Sequence, residues 1–496
     1  MSSLGEDSRP KLTVALIVRD AAGLVAQTLS SVAQIADEIV VADTGSADNT
    51  REVAVRYGGR VIDVPWSSDF AAARNACLAA IESDWILGLD AGETLSPLAA
   101  ARLRRFVDTG AEPASSYSLL VRLPPAPQDI AAPQIARLRL MPRRAQLRFR
   151  GRVREYLEDP LDPQGPKVQP LSLVVQRPAC DQHVEVKLRK AQRNLQLAER
   201  EMREEGPAAR LWLVRGEALA LLGEPDQARD SFRQAEQAAP VGSDELLEAY
   251  YGQITSLDES AAGREAQLDL CVAALQRFPA DLQLLCALGN FLQAGGRMDL
   301  AIRAFETAVQ YGELRPSLWH LADIEDVAVV CWAATLQLQA QVAEAQRLLE
   351  DALHERPASI RIRHHLVELH IQQGDGDRAV QEAGQLPAGF PHREAFVQAV
   401  RGAGLARGGD WTAAAACLET AYEAGCRDPL CLRWLTAASL QLDKPDAARR
   451  VLSDWYAVAP EDEELARWAA RLPDPPMEPA AGFTPALSSA NRRIHI

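Results

Sequence analysis

The chain has 496 residues, 47% of them hydrophobic and 24% charged, with a formal net charge of −15. That length calls for more than one domain and that composition for a globular protein, while the negative charge argues against nucleic acid, whose phosphates need basic patches. No stretch approaches the roughly 18 apolar residues of a membrane span. The eight cysteines are scattered without a C-x-x-C pair, which points to a reducing compartment. With no signal peptide apparent, the expected location is cytoplasmic.

After a disordered N-terminus (1–10), residues 11–95 alternate β-rich runs with helical ones. "LTVALIV" (12–18) reads as a strand, "AAGLVAQTLSSVAQI" (21–35) as an amphipathic helix, and "EIVVAD" (38–43) as a second strand. Then come the helix "NTREVAVRYG" (49–58), the strand "RVIDV" (60–64) and the helix "FAAARNACLAAI" (70–81). "WILGLD" (85–90) closes the series on a carboxylate. Such alternation predicts a parallel sheet covered on both faces. Strand-like segments follow at "SSYSLLVRL", "IARLRLM", "LRFRGRV" and "VQPLSLVVQ", separated by Pro-rich loops at 124–133 and 159–170. From "VEVKLRKAQRNLQLAEREM" (184–202) onward the pattern is helical, so an α/β domain over 11–205 gives way to an all-α domain over 206–472 and a flexible tail, 473–496.

The helical half repeats. An alanine followed by apolar or small residues four and seven positions later recurs at Ala228, Ala266, Ala301, Ala345, Ala379, Ala414 and Ala448, at spacings of 38, 35, 44, 34, 35 and 34. A period near 34 residues with small side chains on one helix face lets helix pairs stack into a solenoid. This resembles the tetratricopeptide repeat, with about seven units over 207–460 and an insertion before Ala345. The resemblance implies a curved groove for a protein or peptide partner; Trp212, Trp319 and Trp332 either line that groove or fill helix interfaces.

Three segments of the first half carry a second resemblance: "EIVVADTGSADNT", "WSSDFAAARNACL" and "WILGLDAGE". In this order and spacing they resemble family 2 glycosyltransferases, in the subgroup fused to tetratricopeptide repeats. The implied fold is GT-A, a Rossmann-like nucleotide-sugar-binding sheet, and the implied donor is a nucleotide sugar, foremost a UDP-sugar. By resemblance Asp43 contacts the nucleobase, Asp69 and Arg74 hold the nucleotide, and Asp90 is the first carboxylate of the D-x-D motif that binds Mg2+ or Mn2+ with the diphosphate. Read from the residues alone, Asp43 begins a turn, Ser46 or Asp48 caps the next helix, and Asp69 is an N-cap.

The chain departs from that family where the metal belongs. The second carboxylate of D-x-D is Gly92, which leaves Asp90, Glu93 and His183 as the metal set. Arg154 stands where the family has a histidine near the donor, beside Glu155. A guanidinium matches phosphate oxygens, so Arg154 is a candidate to meet the diphosphate in a metal-independent transfer. Glu155 is the first candidate for the base that deprotonates the acceptor in an inverting reaction, ahead of Glu93 and Asp181. The leading expectation is a glycosyltransferase acting on a protein, peptide or saccharide. The alternative is a catalytically impaired domain of this fold on a repeat scaffold, serving binding or assembly.

Overall fold

The computed structural model describes residues 9–124, 131–162, 165–258, 260–458, 463–469 and 471–472. Apart from Arg9 and Pro10, the two terminal segments expected to be disordered or flexible lie outside the described residues.

The first strands are β1 (Leu12–Val18), β2 (Glu38–Asp43), β3 (Arg60–Asp63) and β4 (Trp85–Asp90), with α1 (Ala22–Val32), α2 (Thr50–Arg56) and α3 (Phe70–Ala79) between them. They pair in parallel in the order β3-β2-β1-β4. Strands β1, β2 and β4 are almost wholly buried, as a sheet covered on both faces requires. In α1 the buried residues Val25, Thr28, Leu29 and Val32 follow helical spacing. Next come β5 (Thr94–Leu95), α4 (Pro97–Thr109), β6 (Ser116–Arg122), β7 (Pro133–Pro142), β8 (Arg148–Arg150), β9 (Tyr156–Glu158) and β10 (Val168–Gln176). The expected parallel sheet is in fact mixed, because β7 runs antiparallel to both β4 and β6. Residues 147–153, read as one strand, contribute only β8, which pairs with β9 in a small separate ribbon.

Helix α5 (Val184–Glu205) leads into α6 (Ala209–Leu221), α7 (Pro225–Ala238) and α8 (Asp244–Thr255). Among the described residues, helices from α6 to Pro445–Val458 form seven successive pairs. Six of the seven recurring alanines, Ala228, Ala301, Ala345, Ala379, Ala414 and Ala448, lie fully buried at the seams, while Ala266 is only half-buried. Small residues admit large neighbours there; a Cβ on Gly289 would stand 2.4 Å from the ring of buried Phe305.

One connection was not legible in the sequence. The lengthened repeat sends a segment back to the α/β sheet, where β11 (His320–Leu321) pairs antiparallel with β7 through His320↔Gln134 and Leu321↔Pro133. Ala136 N–H donates to Pro316 O at 2.5 Å and Ala322 N–H to Ala132 O at 3.0 Å. Buried His320 holds Gln134 at 3.1 Å. Trp319 packs against the sheet's core rather than lining a repeat groove. The sheet is therefore completed by a residue pair from deep within the repeats.

A half-buried ion pair staples later repeats. His364 Nε2 lies 3.2 Å from both oxygens of Asp428, which also caps its helix by accepting from Leu430 N–H at 2.9 Å. Burial works against the imidazolium, but Asp428, helped by Glu368 and opposed by Arg433, raises its pKa from 6.5 to about 9. A raised folded-state pKa contributes stability that is complete below pH 6.5 and lost as pH climbs through about 9. Urea titrations of the wild type should show that loss, and His364→Gln should flatten it across this window. An unchanged pH profile in the variant would count against the pair.

Candidate active site

Asp90 ends β4 and Asp43 ends β2, on either side of β1, where their backbones register with Ile17 and Val18. Two inter-strand spacings put them roughly 10 Å apart at the carboxyl edge of the parallel strands, the edge at which open α/β sheets bind ligands. The two carboxylates differ in access. Asp90 has a side chain 47% exposed, whereas that of Asp43 is 1% exposed. Asp43 accepts from the backbone and hydroxyl of Ser46 and pairs with Arg51 at 3.3 Å. Of the two cap candidates for α2, Asp48 accepts from the N–H of its first residue, Thr50, at 3.0 Å and from Ala22 N–H at 3.2 Å, whereas Ser46 accepts from Asp20 N–H at 2.9 Å and ties neighbouring loops together.

Asp90 opens into a cavity of about 990 Å³ whose walls include Arg74, Arg137, Arg139, Glu155 and Trp319. Strand pairing makes the opening. β4 leaves β7 after Leu87↔Leu140 and β11 joins that strand at Gln134. In between, β7 runs roughly 20 Å without a strand on that edge. Asp69 caps α3 by accepting from Ala72 N–H at 2.9 Å, as the residues alone suggest. One turn on, Arg74 donates to Glu155 at 2.5 Å and to Asp90 at 3.2 Å. Arg139 donates to the other oxygen of Asp90 at 3.1 Å and to Glu93 at 2.6 Å. Glu93 is 1% exposed and also accepts from Asp90 N–H at 3.0 Å.

The charges are held unequally. Burial opposes ionisation of Asp90, but Arg139, Arg74 and Arg177 overcome it and lower its pKa. Glu93 is pushed up by burial and by Asp90, with Arg139 opposing. Burial also opposes the Arg74 charge, yet Glu155 and Asp90 raise its pKa.

Two expectations change here. Arg154 reaches the cavity wall, but its guanidinium hydrogen-bonds Glu248 and lies 3.7 Å from Glu217, on α8 and α6. It joins the two halves of the chain, and its left-handed backbone (φ 52°) turns it that way. The set Asp90, Glu93 and His183 is not gathered around a cation. Both oxygens of Asp90 meet guanidiniums, Glu93 is closed in by Arg139, and His183 is an exposed residue at the start of α5. Among the described residues no three His, Cys, Asp or Glu side chains form a metal-binding group. This donor set does not fit a divalent ion. Arg139, which sequence reading missed, sits with Arg137 two residues apart in the otherwise apolar "IARLRLM"; that spacing puts two cations on one strand face.

Residues 13–116 match the sequence model described as glycosyl transferase family 2, and residues 209–241 and 336–402 match tetratricopeptide-repeat models. A TPR repeat-containing protein of Synechococcus elongatus is 36% identical over 154 residues, 30% of this chain and 36% of that protein. A glycosyltransferase of Rickettsia felis is 34% identical over 86 residues, 17% of this chain and 30% of that one. The chain thus spans about a third of the length of these relatives. A tetratricopeptide repeat protein from Parabacteroides merdae overlays 52% of this chain and 96% of its own at 13% identity, with a TM-score of 0.40. The chain thus joins an α/β domain that matches glycosyl transferase family 2 to a helical solenoid that matches tetratricopeptide repeats. Among the described residues no helix is long and apolar enough to cross a membrane.

Proposed function

We propose that the chain transfers a sugar from a nucleotide sugar, foremost a UDP-sugar, to a protein, peptide or saccharide acceptor. The observation that carries this reading is the half-exposed Asp90 at the end of β4, facing a cavity in a domain that matches family 2. Asp90 orients the donor and, with Arg74 and Arg139, forms a fixed charged wall beside it. Preorganised charges of this kind act where charge develops in a transition state. Glu155 borders the cavity and is steered by Arg74. Its second oxygen makes no hydrogen bond among the described residues and would take the acceptor proton in an inverting displacement. The repeats hold the acceptor or a partner.

The test is release of nucleoside diphosphate from a panel of nucleotide sugars, alone and with peptide or saccharide acceptors. Asp90→Ala should abolish it while leaving the circular dichroism spectrum intact. Turnover by the variant at the wild-type rate would sink the assignment. A second reading, binding without transfer, is favoured by Asp43, whose carboxylate is spent on Ser46 and Arg51. It predicts donor binding in calorimetry with no turnover by the wild type.

A further inference from the structure

Each candidate carboxylate beside Asp90 already has a cation: Arg74 and Arg139 for Asp90, Arg139 for Glu93, and Arg74 for Glu155. Arg177, also on the cavity wall, pairs with Asp181 at 2.5 Å. Arg137 differs. It lies in the part of β7 left without a strand between β4 and β11 and borders the cavity, and its guanidinium makes no hydrogen bond or ion pair among the described residues. The unspent charge on this wall is therefore positive, and its complement is an anion.

Resting on the nucleotide-sugar reading, we infer that the donor's diphosphate is neutralised by Arg137, with Arg139 and Arg177 beside it, and that its binding needs no divalent cation. A guanidinium offers five N–H donors in a planar fork that matches phosphate oxygens. Arg139 keeps Asp90 engaged while Arg137, two residues along the same strand face, meets the ligand. Burial supports the assignment. It pushes the Arg137 pKa down to about 10, with Arg154 and Arg139 adding and Glu248 and Glu217 opposing only in part, so an incoming anion relieves an incompletely compensated charge. A divalent ion at the same place would have to detach Asp90 from two arginines.

The experiment is calorimetry of the full chain with UDP, inorganic pyrophosphate and uridine, each with excess Mn2+ and with EDTA. UDP should bind with the same affinity, within about twofold, in both conditions. Arg137→Met should weaken UDP and pyrophosphate by about tenfold or more, the usual value of one charge-assisted contact, and leave uridine unaffected. Because Arg137 holds no partner, the variant should melt with the wild type. UDP binding that requires Mn2+, or wild-type UDP affinity in Arg137→Met, overturns this inference and leaves the nucleotide-sugar reading standing. Failure of UDP to bind in either condition overturns both, whether or not pyrophosphate binds.

Discussion

Replacing Arg139 by methionine is expected to destabilise the chain by about 3–5 kcal/mol, the cost of breaking a buried charge pair by removing one partner. Glu93 is 1% exposed, and Arg139 supplies its guanidinium contact at 2.6 Å. Without that group a carboxylate is left in an apolar surround and must be protonated or rehydrated, and Asp90 loses one of its two arginines. The loss should appear as a lower urea midpoint for the transition that reports on the α/β domain. Adding Glu93→Gln should recover part of it, because a neutral amide needs no counter-charge. A midpoint shift worth less than about 1 kcal/mol, the range of exposed pairs, would mean that the contact is effectively solvated.

Gly92→Asp is the second large effect, and its sign is the unexpected part. The substitution rewrites D-A-G-E as D-A-D-E and so restores the motif to which the resemblance assigns the metal. Gly92 has φ +92°, and a Cβ there would lie 2.7 Å from Pro178 Cγ and 3.1 Å from Leu24 Cδ2. Its N–H is also fixed by a 2.8 Å bond to Thr28. Left-handed backbone costs a side-chain-bearing residue roughly 1–2 kcal/mol and overpacking about 1–3 kcal/mol. The variant should therefore lose about 2–5 kcal/mol on these two costs combined. It should gain no Mn2+ affinity, measured by electron paramagnetic resonance of bound manganese. Tight Mn2+ binding at unchanged stability would show instead that the turn adapts and that Gly92 is a simple loss.

Much of the architecture was legible in the residues. Strands β1 to β4 announce themselves by short apolar runs, α1 by its amphipathic spacing, α3 by its good helix formers, and the repeats by alanines returning at near-constant intervals. Each signal is local, carried by residues a few positions apart that must share one face of one element. Asp69 as a cap and Asp90 at a strand end are local in the same sense. The order of strands past β4 was not legible, since an apolar run does not state which neighbour it pairs with or in which direction.

The amino-acid sequence by itself determined two domains, a strand-helix alternation ending on Asp90, and a solenoid of helix pairs, because hydrophobic periodicity is set by neighbours in the chain. Tertiary structure alone decided which partners the arginines and His320 meet. Arg139 meets Glu93 across 46 residues, Arg154 meets Glu248 across 94, and His320 meets Gln134 across 186. An arginine's reach and charge are the same wherever it stands, so its role follows from which carboxylate the fold delivers to it. That is why Arg154 turned out to join the domains, while Arg137 was left facing the cavity.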